Sequence, residues 1–135
     1  MADRIDYPLT VYYDGACSLC RRQMARYRER DQRARLLFQD ITDHQFHAGR
    51  YGLDIGELQR AIHVVDRAGR VARGADAVVW IWWATGSRLL PILMRIPGIN
   101  ILAKRLYKLV ARGRYLVSSW RGEKLCRGKC GWRRY

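Results

Sequence analysis

A short apolar run, a turn and a pair of cysteines follow one another within the first 20 residues. No other feature constrains the fold as much. Leu9-Thr10-Val11-Tyr12-Tyr13 is five residues long and rich in β-branched and aromatic side chains, which predicts a buried strand. Asp14-Gly15 is a turn signal. A helix is expected from near Cys17 to about Arg30, with Leu19, Met24 and Tyr27 on its apolar stripe and Arg21, Arg22, Arg26, Arg28 and Arg30 elsewhere. Leu36 to Ile41 reads as a second strand. Strand, helix and strand within roughly 30 residues make a βαβ unit, with parallel pairing and a right-handed crossover.

The rest of the chain extends this unit. Thr42 to Gly56 is loop-like, with His44, His47, Gly49, Gly52 and Gly56, and Glu57 to Arg60 is expected to form one helical turn. Ala61 to Asp66 and Val71 to Arg73 read as strands joined by the tight turn Arg67-Ala68-Gly69-Arg70, a β-hairpin. Ala75 to Thr85 forms an apolar helix carrying Trp80, Trp82 and Trp83, with Asp76 at its start. Beyond Ser87 the pattern is helical but split by Pro91, Pro97 and Gly98. Ile99 to Arg112 has apolar positions at Ile99, Leu102, Ala103, Leu106, Leu109 and Val110, with Lys104, Arg105, Lys108 and Arg112 on the polar face.

The fold class is therefore α/β with appended C-terminal helices. A chain of 135 residues with 49% hydrophobic residues suits one domain and is too apolar for a disordered protein. The domain is expected over residues 1–115, followed by a basic, flexible tail over 116–135.

Charge is uneven. Residues 88–135 hold 13 of the 26 Lys and Arg but one of the 12 acidic residues, so the basic excess lies in the C-terminal third. Such a surface attracts polyanions, including nucleic acid, anionic lipid and acidic protein, although a solvated basic face without a partner explains it equally well. For residues 87–112, core packing is favoured over an amphipathic helix lying on an anionic membrane. The same default applies to the three tryptophans. The polar N-terminus has no secretory h-region, and the longest uncharged stretch, Ala77 to Ser87, is too short to span a bilayer. The expected location is the cytoplasm.

Four cysteines form two close pairs, Cys17/Cys20 and Cys126/Cys130. In a reducing compartment such pairs signal redox chemistry or metal binding more often than structural bridges. Two cysteines separated by two residues at a helix start can close a small ring without moving the backbone. Free N–H groups and the helix dipole favour a thiolate there. Cys17 is expected to be the more exposed sulfur and the attacking thiolate, with Cys20 the resolving thiol. Asp14 is a candidate proton acceptor for the resolving thiol, with turn formation or helix capping the favoured role.

The competing readings are half of a zinc site completed by Cys126 and Cys130, two inert buried thiols, and a nucleic-acid-binding protein driven by the basic segment. Cys126 and Cys130 could also relay electrons to the first pair or be incidental. His44, His47 and His63 form no convincing ligand set.

The run Tyr12-Tyr13-Asp14-Gly15-Ala16-Cys17-Ser18-Leu19-Cys20 resembles the signature of the DCC thiol–disulfide oxidoreductase family, named for its Asp, Cys and Cys. The resemblance continues through Ile62-His63-Val64-Val65-Asp66, Gly69-Arg70-Val71 and Gly74-Ala75-Asp76-Ala77-Val78. It ends with Pro97-Gly98 before a helix containing Tyr107, then Arg112 and Arg114, and so covers roughly residues 7–115. It implies a thioredoxin-like βαβ–ββα core and protein-disulfide reductase activity. The redox pair maps onto Cys17 and Cys20, and the motif acid onto Asp14. No cofactor or metal is implied. The partners are a disulfide-containing protein or small molecule and an external electron donor. Thioredoxins place a cis-proline before the third strand, facing their cysteines, whereas here that position reads Gln59-Arg60-Ala61. The turn Gly74-Ala75-Asp76 is the candidate to face the site instead, with helix capping the plainer role for Asp76.

Overall fold

The computed structural model describes residues 5–120, with side chains described as far as residue 113. Its strands are β1 (Leu9–Tyr13), β2 (Leu36–Asp40), β3 (His63–Val65) and β4 (Val71–Arg73). Its helices are α1 (Ser18–Arg30), α2 (Ile55–Arg60), α3 (Ala75–Ala84), α4 (Leu89–Leu93) and α5 (Pro97–Trp120). The sheet order is β2-β1-β3-β4. β1 pairs parallel with β2, from Leu9 opposite Leu36 to Tyr13 opposite Asp40. β3 runs antiparallel to both β1 and β4. This mixed sheet is the βαβ–ββα arrangement of a thioredoxin-like core.

Period-2 alternation along β1 sorts the two layers. Leu9 and Val11 share one core with Met24 and Tyr27 of α1, Val64, Ala72, and Ala77 and Ile81 of α3. Tyr12 belongs to a second cluster with Ile41, Ala48 and Leu58. Helices α1 and α3 therefore cover one face and α2 the other. Leu9, Val11, Val64 and Ile81 are fully buried, and each contributes roughly 1.5–3 kcal/mol of hydrophobic stabilisation. Trp80 and Trp82 pack partly buried against the first core, as their default role required.

The hairpin is closed by Asp66. Its buried carboxylate accepts the backbone N–H of Arg70 at 2.8 Å and pairs with the Arg70 guanidinium at 2.6 Å. Helix α2 starts at Ile55, two residues before the expected turn, because Asp54 caps it by accepting the Glu57 N–H at 2.9 Å.

Helix α5 differs from expectation in length and orientation. It runs on to Trp120, so the boundary expected after residue 115 falls inside it. Residues 121–135, with Cys126 and Cys130, lie outside the described residues. Core packing of its leucine stripe is not what the structure has. Leu102, Leu106, Leu109 and Val110 are all exposed, and Ala103, Tyr107 and Ala111 are the more covered positions. The reason is the anchor. The Ile62 N–H donates to the Tyr107 hydroxyl at 3.0 Å, and Lys104 pairs with Asp76 at 3.3 Å. These contacts turn α5 by its Ala/Tyr side toward the β3–α3 region and leave the leucines facing outward.

Candidate active site

The turn that follows β1 is built around a close approach. Gly15 donates its N–H to Asp40 Oδ1 at 3.0 Å, and the same carboxylate oxygen accepts the Thr42 N–H at 2.8 Å and the Thr42 hydroxyl at 2.6 Å. A Cβ at Gly15 would sit 2.5 Å from Asp40 Oδ1 and closer still to Oδ2, so any other residue must displace the Asp40 carboxylate. The end of β2 thus fixes the turn after β1.

Asp14 is buried, and its Oδ1 accepts the Ala16 N–H at 2.9 Å while its carbonyl accepts the Cys17 N–H at 3.2 Å. This is the turn-forming role favoured from the sequence. Asp14 also borders the cavity beside Cys20.

Cys17 is the N-cap of α1. Its Sγ accepts the backbone N–H of Cys20 at 3.4 Å. The N–H aimed at sulfur and the positive end of a 13-residue helix act toward the anionic form of that sulfur, and its complete burial acts against it. Arg21 adds positive charge to the turn through an Nη1 bond to the Gly15 carbonyl at 2.5 Å.

The expected exposure of the two sulfurs is reversed. Cys17 is 0% exposed, whereas Cys20 is half-buried. Capping explains the difference, because a side chain that folds back onto its own helix turn is withdrawn from solvent.

Cys20 opens onto a cavity of about 310 Å³. Tyr13, Asp14, Met24, Tyr27, Ile62, Val78, Tyr107 and Val110 are among the residues that line it. The lining is chiefly apolar, so it suits an aliphatic or aromatic group next to a disulfide better than a charged one.

No proline stands directly before β3, where the chain reads Gln59-Arg60-Ala61-Ile62. The chain does contain a cis peptide bond, Tyr7–Pro8, but it leads into β1. That is the opposite end of the strand from the cysteines, roughly 17 Å away at the strand rise. Gly74 lies behind Tyr107. It has φ +57°, and a Cβ there would meet the Tyr107 ring at 3.2 Å. Asp76 is exposed and paired with Lys104, which makes it a helix-start residue rather than a site residue.

His63 is buried on β3, with Nδ1 2.9 Å from the Ala61 carbonyl oxygen. Burial lowers its pKa below the ordinary histidine value. The Arg73 charge acts in the same direction, and the Ala61 carbonyl and Glu57 act against it. Among the described residues, no group of three or more His, Cys, Asp or Glu side chains is placed to hold a metal ion.

Sequence reasoning missed two contributors. Asp40 was read only as part of a strand, and Tyr107 had a place in a motif without a role. Asp40 carried a signal. A carboxylate ending a strand parallel to one that ends in Asp-Gly lies beside that turn by register alone.

The model of the DCC1-like thiol–disulfide oxidoreductase family matches residues 11–120. The chain belongs to this family. Membership supports a thiol–disulfide oxidoreductase role, and Cys17 and Cys20 stand close together at the start of α1. An uncharacterised chloroplastic protein of Arabidopsis thaliana is 25% identical over 115 residues, which cover 84% of this chain. The match takes in 54% of that relative, so the chain spans about half its length. No solved structure matches.

Proposed function

We propose that this DCC1-like protein reduces disulfides in other proteins, in the cytoplasm, using Cys17 and Cys20 as its dithiol. The observation that carries the reading is the placement of the pair. One sulfur caps α1 and receives an N–H, and the other sits a turn later at the mouth of an apolar cavity.

In the forward reaction the Cys17 thiolate attacks one sulfur of the substrate disulfide. The substrate S–S bond breaks, a mixed disulfide forms, and the released thiolate takes up a proton. Cys20 then loses its proton, attacks Cys17 Sγ and expels the second substrate thiol. The substrate gains two electrons and two protons, and Cys17 and Cys20 end as a disulfide. An external dithiol donor returns the pair to the reduced state. Because Cys17 is covered at rest, its attack requires substrate docking to move the side chains above it.

One observation favours the opposite order. Cys20 is the sulfur that lines the cavity, so an incoming disulfide meets it first. The two orders share the same net reaction and differ in the covalent intermediate.

The test uses full-length protein in a Cys126→Ser/Cys130→Ser background, with a disulfide-bonded protein substrate and a small dithiol as donor. Turnover should be present in that background and absent in Cys17→Ser and Cys20→Ser. Turnover unchanged in either variant would overturn the proposal. Trapping settles the order: Cys20→Ser accumulates the mixed disulfide if Cys17 attacks, and Cys17→Ser accumulates it if Cys20 does.

A further inference from the structure

Among the described residues, the exposed large hydrophobic side chains gather on α4, α5 and the link between them. Leu89, Ile92, Leu93, Ile96, Ile101, Leu102, Leu106, Leu109 and Val110 are between 43% and 73% exposed. They account for nine of the 13 large hydrophobic residues exposed among the described ones. At about 100° per residue along α5, Leu102, Leu106 and Leu109 fall within one 60° sector. Arg105, Lys108 and Arg112 fall within an adjacent sector of the same width, and Ala103, Tyr107 and Ala111 occupy the side turned to the domain. The helix therefore has three strips: one anchored, one aliphatic, and one cationic that also holds Ile101.

We propose that this face docks on the surface of an anionic phospholipid bilayer, with α5 lying in the plane of the headgroups. The proposal is independent of the redox reading.

Charge complementarity selects the occupant. Residues 88–120 contain seven Lys and Arg and no acidic residue. A second copy of the chain would bring two such surfaces together and set like charges face to face. The segment 121–135 is also basic and offers only Leu125, Trp132 and Tyr135 as large apolar residues, too few to cover nine. A bilayer of anionic lipid provides both halves of the match, with phosphates for the cationic strip and acyl chains for the leucines. No helix among the described residues is long and apolar enough to cross a membrane, so α5 lies on the surface. Val110 borders the exposed strip and also lines the cavity beside Cys20, so docking would bring the mouth of the cavity to the bilayer.

The experiment is flotation of the full chain with vesicles of phosphatidylglycerol and phosphatidylcholine, and separately of phosphatidylcholine alone. The protein should float with the anionic vesicles, stay behind with the neutral ones, and dissociate as salt is raised. In Leu102→Gln/Leu106→Gln/Leu109→Gln the partition coefficient should fall roughly a hundredfold, because three side chains no longer enter the apolar layer. All three leucines are more than half exposed, so the variant should keep its far-UV circular dichroism and its thiol titre. Lys108→Glu/Arg112→Glu tests the cationic strip separately and should also weaken binding.

Wild-type protein that fails to float with anionic vesicles would overturn the proposal. So would equal flotation of the triple variant, because charge alone would then account for binding. Leucine-dependent dimerisation without vesicle binding, or leucine-dependent binding to polyglutamate in its place, would reassign the face to a second copy or to an acidic polypeptide and would likewise overturn it.

Discussion

Replacing Gly15 with Ala tests how the end of β2 holds the cysteine turn. Gly15 has no positive φ, so alanine is acceptable to its backbone. The obstacle is space, since the added Cβ falls on the Asp40 carboxylate. Moving that carboxylate breaks three hydrogen bonds, from the Gly15 N–H, the Thr42 N–H and the Thr42 hydroxyl. Bonds to a charged acceptor are worth about 1.5–3 kcal/mol each when buried. Asp40 is only part-buried and can regain water, so about 1 kcal/mol each is the appropriate figure. Against that total of about 3 kcal/mol, alanine stiffens the unfolded chain and returns about 0.4–1 kcal/mol. The expected net loss is about 2 kcal/mol, or about 8 °C in Tm at roughly 4 °C per kcal/mol for a domain of this size.

Urea denaturation of a four-member cycle with Asp40→Ala separates the clash from other effects. In the Asp40→Ala background the clash is gone, and Gly15→Ala should be neutral or slightly stabilising. The reasoning is refuted if Gly15→Ala costs under about 0.5 kcal/mol, the range of ordinary surface changes. It is equally refuted if the cost is the same in both backgrounds.

Tyr107→Phe removes the acceptor for the Ile62 N–H and should cost about 1 kcal/mol by denaturation. It should also raise iodoacetamide reactivity at Cys20, since α5 closes one side of the cavity, and unchanged reactivity would speak against that closure. His63 is held neutral by burial, with its folded pKa below the unfolded value near 6.5. The unfolded chain therefore takes up this proton first as pH falls, and the contribution to stability is lost from about pH 7 downward through the folded pKa. His63→Gln should flatten the difference in unfolding free energy between pH 7.5 and 5.5, and an unaltered difference would remove His63 as its source. Dialysis against a strong zinc chelator should leave the thiol titre and the turnover unchanged, whereas a gain in titre on chelation would favour the zinc reading.

Local signals carried most of the fold. β1 and β4 begin and end where β-branched and aromatic runs meet Asp-Gly and Gly-Ala, because those strands are short and their turns strongly coded. The start of α2 was also legible, since Asp54 and Glu57 stand at capping spacing, yet the glycine at 56 drew attention to the loop. The orientation of α5 was not legible. Leucine periodicity says that a helix has an apolar stripe, but which side is buried depends on a tyrosine finding one N–H far away in sequence, at Ile62. The order of the two cysteines was half legible. Spacing placed Cys17 at a helix start, but a cap that withdraws a sulfur from solvent also limits its access, and spacing is silent on that trade.

The motif residues Asp14, Cys17 and Cys20 come from one seven-residue stretch, while the cavity wall draws on Met24, Ile62, Val78, Tyr107 and Val110 from four other places in the chain. Selection can therefore act on the two separately. Substitutions in the wall can change which groups fit the cavity while the dithiol and its helix cap stay as they are. The shape of the pocket and the geometry of the dithiol are thereby open to change one at a time.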